Sequence, residues 1–205
     1  MANISTKAQQ MPASAIRKLV PFADAAKKEG VKVYHLNLGQ PDIKSPECAL
    51  AAIKNYSAAN ISYSHSGGLM ELRKGLVDKY YRKIGIDINV DELIVTVAGS
   101  ESVNLALEIA CDPGDEVLVL EPFYTNYNTF AFMNKLTLKA IATDIRNGFQ
   151  IPPIEEFEKA ITPKTKAILI CNPGNPTGTQ YSKESMLALG EIARKHDLIL
   201  LSDEV

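Results

Sequence analysis

Two asparagines and an aspartate stand where predicted strands end, and these residue types could hold a flat, charged ligand. In "ILICNPGNPTGTQYSKE", residues 168–184, an apolar run leads into Asn172 and Asn175, each followed by proline. Because proline fixes the backbone and cannot donate to a sheet ladder, this loop is expected to be stiff and to aim an amide at a ligand oxygen. Asp203 ends another apolar run, where its carboxylate could balance a protonated ring nitrogen or serve as an N-cap or salt-bridge partner.

Two further positions could complete such a site. Ser100, Glu101 and Ser102 open a predicted helix, where unpaired backbone N–H groups and the helix dipole favour an anion such as a phosphate. Taken alone, Ser100 is better interpreted as a plain N-cap. Tyr124 follows an apolar run, and its ring could stack on a heteroaromatic ligand or pack in a helix face, the interpretation favoured for Tyr127. The sequence lacks G-x-G-x-x-G and G-x-x-x-x-G-K-[ST], which argues against a nucleotide-binding α/β protein.

Five compact apolar runs predict the strands that position these residues: "ELIVTVA", "EVLVLEP", "KLTLKAIA", "KAILICNP" and "LILLSDE". Helices are predicted between most of them, at 102–110, 122–133, 153–161 and 183–195. Strands that read as continuous apolar runs are buried on both faces, and their alternation with helices favours a mostly parallel sheet. The fold class is therefore predicted to be three-layer α/β, whose ligands bind beyond the carboxyl ends of the strands.

Composition and charge limit the classes of function that the chain can have. The chain of 205 residues is 46% hydrophobic, so it can bury a sizeable core. Its net charge of −2 gives no electrostatic case for nucleic acid or an anionic membrane, and no apolar run is long enough for a membrane span. Because the N-terminus lacks an apolar signal segment and Cys48, Cys111 and Cys171 are scattered, we expect a cytoplasmic protein with reduced thiols and no metal site.

Taken together, "NPGNPTG", "SDE", "GSES" and "YSHSGGLMELR" resemble the fold-type-I, pyridoxal-phosphate (PLP)-dependent aminotransferases of class I/II, especially the aspartate aminotransferase branch. The resemblance extends from "LNLGQPD" to the last residue. It implies the three-layer α/β/α fold of PLP-dependent transferases, incomplete in this chain, with strand order 3-2-4-5-6-7-1. Residues 1–44 would belong to the small domain, and residues 45–205 would form the first part of the large PLP-binding domain.

The resemblance implies a role for each candidate residue. Asn175 would hydrogen-bond the phenolic oxygen of pyridoxal 5'-phosphate and could also reach the substrate carboxylate. Asp203 would pair with the pyridine nitrogen and keep the ring an electron sink. Tyr124 would stack on the ring, where many relatives carry tryptophan or phenylalanine. The phosphate would be cradled by Ser100, Glu101 and Ser102.

Two residues of the N-terminal half carry implied roles of a different kind. Tyr63, in "YSHSGG", matches a tyrosine that reaches the phosphate of the neighbouring subunit's cofactor, which implies a homodimer with shared active sites. Gly39 matches a backbone position near the substrate carboxylate, on a segment that closes over the site.

The implied activity transfers an amino group between an amino acid, aspartate foremost, and a 2-oxo acid, 2-oxoglutarate foremost. In the family, the Schiff-base lysine and the carboxylate-binding arginine come later than the last residue of this chain, so no catalytic residue is assigned and the chain alone is expected to be an inactive fragment. The "ELIVTVA" strand would lack neighbours and expose apolar surface. The alternatives are a PLP-dependent lyase or synthase and a non-catalytic regulatory domain that kept the fold.

Overall fold

The chain forms two compact units. The computed structural model describes residues 2–12, 14, 17–37, 39 and 41–204. The first unit, called the sheet unit, comprises residues up to Phe22 together with those from Ala98 onward. The second, called the helical unit, comprises Ala23–Val97. Among the helices that the described residues form, none combines the length and apolar character needed to cross a lipid bilayer.

The sheet unit is built on parallel strands. They are β1 (Glu116–Glu121), β2 (Thr137–Ala142), β3 (Thr165–Cys171) and β4 (Ile199–Asp203). The strands pair in the order β2-β1-β3-β4, which confirms the α/β class and the 3-2-4-5 part of the implied order. Residues of the central strands β1 and β3 are almost all buried, because helices cover both faces of the sheet.

The helices that the described residues form are α1 (Thr6–Gln10), α2 (Val20–Lys28), α3 (Glu47–Lys54), α4 (Met70–Lys79), α5 (Gly99–Ala110), α6 (Asn126–Asn134), α7 (Ile154–Ala160) and α8 (Lys183–Lys195). In the sheet unit, α5 and α6 supply Val103, Leu107 and Tyr127 to the core on one face of the sheet. Phe157 of α7 and Leu189 of α8 belong to the core on the other face. The helix predicted at 122–133 begins only at residue 126, so a short loop separates β1 from α6.

The prediction of a strand in "ELIVTVA" is wrong. Leu93 is extended, with φ −118° and ψ 125°, but its carbonyl accepts a hydrogen bond from Nε of Arg73 at 2.9 Å. The amide of Val95 donates to the carbonyl of Gly67 at 3.0 Å. Because these backbone groups bond to other parts of the helical unit, no sheet ladder forms here. The side chain of Ile94 is 65% exposed, in agreement with the expected loss of sheet neighbours.

Arg73 is the polar centre of the helical unit. It is only 4% exposed, although its side chain carries a charge. Besides Leu93, its guanidinium donates to the carbonyl of Val90 and lies 3.4 Å from the carboxylate of Asp91. These acceptors satisfy the buried cation, and they hold α4 against the 3-10 turn formed by Val90–Glu92.

Glu116 anchors the amino end of the sheet. Its carboxylate accepts hydrogen bonds from the hydroxyls of Thr162 at 2.6 Å and Thr165 at 3.4 Å, and Lys139 Nζ lies 3.5 Å away. These partners, the hydroxyl of Thr162 foremost, hold the pKa of Glu116 below its ordinary value. The network therefore stabilises the ionised form at the end of the sheet opposite the candidate site.

Substituting Glu116 by glutamine should change the acid sensitivity of folding. Because the folded-state pKa of Glu116 is lowered, its contribution is present above the pKa of the unfolded chain, about 4.3, and is lost as the pH falls through the folded-state pKa. The unfolding free energies of wild type and Glu116→Gln should therefore differ at pH 7, and the difference should shrink as the pH falls below about 4.3 and through the lowered folded-state pKa of Glu116. Urea unfolding of the full-length protein over this pH range measures the difference. A Glu155→Gln variant, at an exposed position of α7, should show the same dependence of unfolding free energy on pH as wild type.

Candidate active site

Asp203 lies at the carboxyl end of β4, where the fold places ligands. Its Oδ2 accepts a hydrogen bond of 2.6 Å from the hydroxyl of Tyr127 in α6. Its backbone carbonyl accepts a hydrogen bond of 2.9 Å from the amide of Asn172, which follows β3. Both the side chain and the main chain of this half-buried aspartate are therefore held in place, and the carboxylate has the partner that its burial requires.

The loop after β3, for which the sequence predicts stiffness, is held by a set of hydrogen bonds. Gly174 donates its amide to the carbonyl of Thr179 at 2.7 Å and accepts from the amide of Gly178 at 2.7 Å. The hydroxyl of Thr179 in turn donates to the carbonyl of Gly148 at 2.7 Å. These hydrogen bonds give backbone groups of the loop partners outside the sheet, so the loop can keep its irregular shape.

The two asparagines of the loop have different surroundings. The side-chain oxygen of Asn172 accepts from the amide of Tyr181 at 3.1 Å, so it closes the base of the loop. The hydrogen bond to Tyr181 does not support the prediction that the side chain of Asn172 also faces a ligand. Asn175 is exposed, while its backbone amide faces the sulfur of Cys171. It lines a crevice of about 10 Å³ together with Cys171 and Tyr127. Asn175 is therefore the exposed asparagine of the loop, and its backbone lies beside Cys171, the residue of β3 that pairs with Asp203 of β4.

Tyr127 joins the aromatic residues of the site. Its ring lies 5.6 Å from that of Tyr124 in a perpendicular arrangement and 6.2 Å from that of Phe123 in a stacked one. The hydroxyl of Tyr124 accepts a 2.7 Å hydrogen bond from the side-chain amide of Asn126. Tyr124 is only half-buried, so one part of its ring surface is open to a ligand.

Ser100, Glu101 and Ser102 lie in the first turn of α5, at exposed positions. The expectation that the backbone amides of this turn are unpaired is wrong for two of them. The amides of Glu101 and Ser102 donate to the carbonyl of Ala98, at 3.0 and 3.3 Å, because the helix already begins at Gly99. What this turn offers an anion is therefore the end of the helix dipole and its exposed side chains. Val103, one residue further on, packs in the same core cluster as Cys171 and Tyr127.

Tyr63 and Gly39 belong to the helical unit. The side chain of Tyr63 is fully exposed, and a Cβ built at Gly39 would meet no atom within 4 Å. Their implied roles toward a partner's cofactor and a substrate carboxylate therefore stay predictions. Within the sheet unit, by contrast, Tyr124 and Asp203 both contact Tyr127, and Asn175 lines the same crevice as Tyr127.

Comparison with known proteins gives the family. Residues 31–205 match the family model described as aminotransferase class I and II. The aspartate/prephenate aminotransferase of Thermus thermophilus is 34% identical over 100% of this chain and 53% of its own length. The aspartate aminotransferase of Thermotoga maritima is 32% identical over 98% of this chain and 54% of its own length.

Solved structures agree with the sequence comparisons. The Thermus thermophilus aspartate aminotransferase with maleate has a TM-score of 0.88 at 34% identity, covering 100% of this chain and 54% of that one. An alanine aminotransferase from Pyrococcus furiosus has a TM-score of 0.88 at 35% identity, covering 98% and 51%. The chain thus spans about half the length of the curated relatives that it matches. Its sequence, from residue 31 onward, belongs to the class I and II aminotransferase family.

Proposed function

We propose that the full-length protein is a PLP-dependent aminotransferase that moves an amino group from an amino acid to a 2-oxo acid. The observation that carries the proposal is the carboxylate of Asp203, fixed by Tyr127 at the carboxyl end of β4 beside the loop that presents Asn175. The family and the names of the relatives support the same activity. Aspartate and 2-oxoglutarate are the proposed substrates, and a homodimer is the proposed assembly.

The donor set of the sheet unit fits pyridoxal 5'-phosphate. The ring nitrogen needs an anion, the phenolic oxygen a neutral donor, the ring a flat surface and the phosphate a helix N-terminus. Asp203, Asn175 and Tyr124 supply the first three, and the first turn of α5 supplies the fourth. When bound, the cofactor supplies an electron sink for the charge left when the amino acid loses its α-proton.

Each side chain would then act on a different part of the ligand. The carboxylate of Asp203 would keep the proton on the ring nitrogen, since an adjacent anion favours the protonated form of a base. The side-chain amide of Asn175 would donate to the phenolic oxygen. Tyr124 would fix the plane of the ring, and the rigid loop after β3 would keep these groups in register without reorganisation.

An assay of the full-length protein tests the proposal. Purified protein should be yellow, should release PLP on denaturation, and should form glutamate and oxaloacetate from aspartate and 2-oxoglutarate in equal amounts. Alanine and aromatic amino acids, offered in parallel, define the specificity, because relatives with different named substrates match this chain equally well. Release of ammonia or loss of a substituent without glutamate would favour the lyase alternative, and absence of PLP would refute the proposal.

A further inference from the structure

Tyr127 is a buried phenol whose polar end reaches into the candidate site. It is 1% exposed, and it lies 76 residues before Asp203, to which its hydroxyl donates. Burial, and after it the hydrogen bond to Asp203, raises the pKa of Tyr127 well above its ordinary value. The hydroxyl therefore stays protonated over the physiological pH range and is a permanent donor.

The contacts of Tyr127 divide between the core and the site. Its ring packs among Val103, Leu107 and the strand residues of one core cluster. A buried tyrosine needs a partner for its hydroxyl, and a backbone carbonyl would serve that purpose. Here the partner is instead the carboxylate of Asp203, and the ring edge also faces Tyr124 at 5.6 Å. One residue therefore contacts two of the groups assigned to the cofactor.

We propose that Tyr127 is a positioning residue for the cofactor. Its hydroxyl donates a hydrogen bond to Oδ2 of Asp203 and fixes the rotamer of this side chain. Oδ1 is then the oxygen that faces the ring nitrogen. The ring of Tyr127 packs perpendicular to that of Tyr124 and would help to hold Tyr124 in the orientation that stacks on the cofactor. The proposal deepens the proposed function and rests on it, since it assumes that Asp203 faces the ring.

The test uses the full-length protein carrying Tyr127→Phe, which keeps the packing of the ring and removes only the hydroxyl. The dissociation constant of PLP, measured by dialysis and fluorescence of the released cofactor, should rise about tenfold, the lower end of the range found when a hydrogen bond that orients a metal ligand is lost. The pH dependence of the absorption of the bound cofactor should also shift, because Asp203 is no longer fixed. Tyr81→Phe, which removes a half-buried hydroxyl in the helical unit, should leave both quantities within about twofold of wild type.

Other outcomes separate the possible failures. A Tyr127→Phe protein that loses thermal stability without PLP, yet binds PLP with wild-type affinity and an unshifted pH profile, would overturn the positioning role and leave a packing role. A wild type that binds no PLP would refute the proposed function itself. If Tyr127→Phe folds poorly, the comparison is repeated in an Asp203→Ala background, where no side chain at residue 203 can accept the hydrogen bond from Tyr127. A smaller effect of Tyr127→Phe on PLP affinity there supports the coupling, and an equal effect overturns it.

Discussion

Asp203→Asn in the full-length enzyme should lower kcat/KM for amino transfer by about 10²–10³-fold, the usual range for removing one preorganised electrostatic contact at the reacting group. The asparagine side chain has the size of the aspartate and can still accept the hydrogen bond from Tyr127, so the local geometry is kept. It carries no negative charge, and the ring nitrogen would lose the anion that keeps it protonated. The measurement is kcat/KM for aspartate with saturating 2-oxoglutarate between pH 6 and pH 9.

The matched control for this substitution is Asp197→Asn. Asp197 precedes the same strand at its amino end and has a positive φ of 54°. Asparagine tolerates that backbone conformation, so the control variant should keep wild-type kcat/KM and thermal stability. If Asp203→Asn retained more than a third of the wild-type kcat/KM, the carboxylate of Asp203 could not be the partner of the ring nitrogen.

The strands of the sheet unit were predictable because each is a short apolar run closed by a polar residue or a proline. "EVLVLEP" and "KAILICNP" became the central strands β1 and β3, buried on both faces. The run "ELIVTVA" has the same local character and nevertheless forms no strand. Whether a run becomes a strand depends on a neighbouring strand as well as on its own propensity, and the bonds from Leu93 and Val95 lead to Arg73 and Gly67 instead.

The sequence allowed each residue of the candidate site to be proposed, but it did not reveal the hydrogen bond between Tyr127 and Asp203. The sequence indicated that Asp203 at the end of a buried strand needs a partner, and that Tyr127 packs in a helix face. Both statements hold, yet a phenol that is buried must also satisfy its hydroxyl. The carboxylate of Asp203 and the hydroxyl of Tyr127 each need a partner, and pairing them would have predicted the 2.6 Å hydrogen bond between them. Distance along the chain hid the pair, because only the parallel order of β1, β3 and β4 brings α6 to the end of β4.

Gly68→Ala should destabilise the helical unit by about 3 kcal/mol or more, the sum of backbone strain and overpacking. Gly68 has a φ of +97°, which side-chain-bearing residues rarely adopt, and its amide closes a turn onto the carbonyl of His65 at 2.8 Å. A Cβ at this position would lie 2.5 Å from Cβ of Val95, far inside the contact distance of two carbons. Urea or thermal unfolding of the full-length protein measures the loss.

Two companion variants separate the causes of that loss. Gly75→Ala lies within α4, where a Cβ meets no atom within 4 Å, so it should stabilise the unit by about 0.5–1 kcal/mol through helix propensity. The double variant Gly68→Ala with Val95→Ala relieves the contact with Cγ2 of Val95, 2.7 Å from the new Cβ, but leaves the contact with Cβ and the strained φ. It should therefore recover only part of the loss, relative to Val95→Ala alone. A Gly68→Ala protein as stable as wild type would mean that the turn at residue 68 does not lie against Val95.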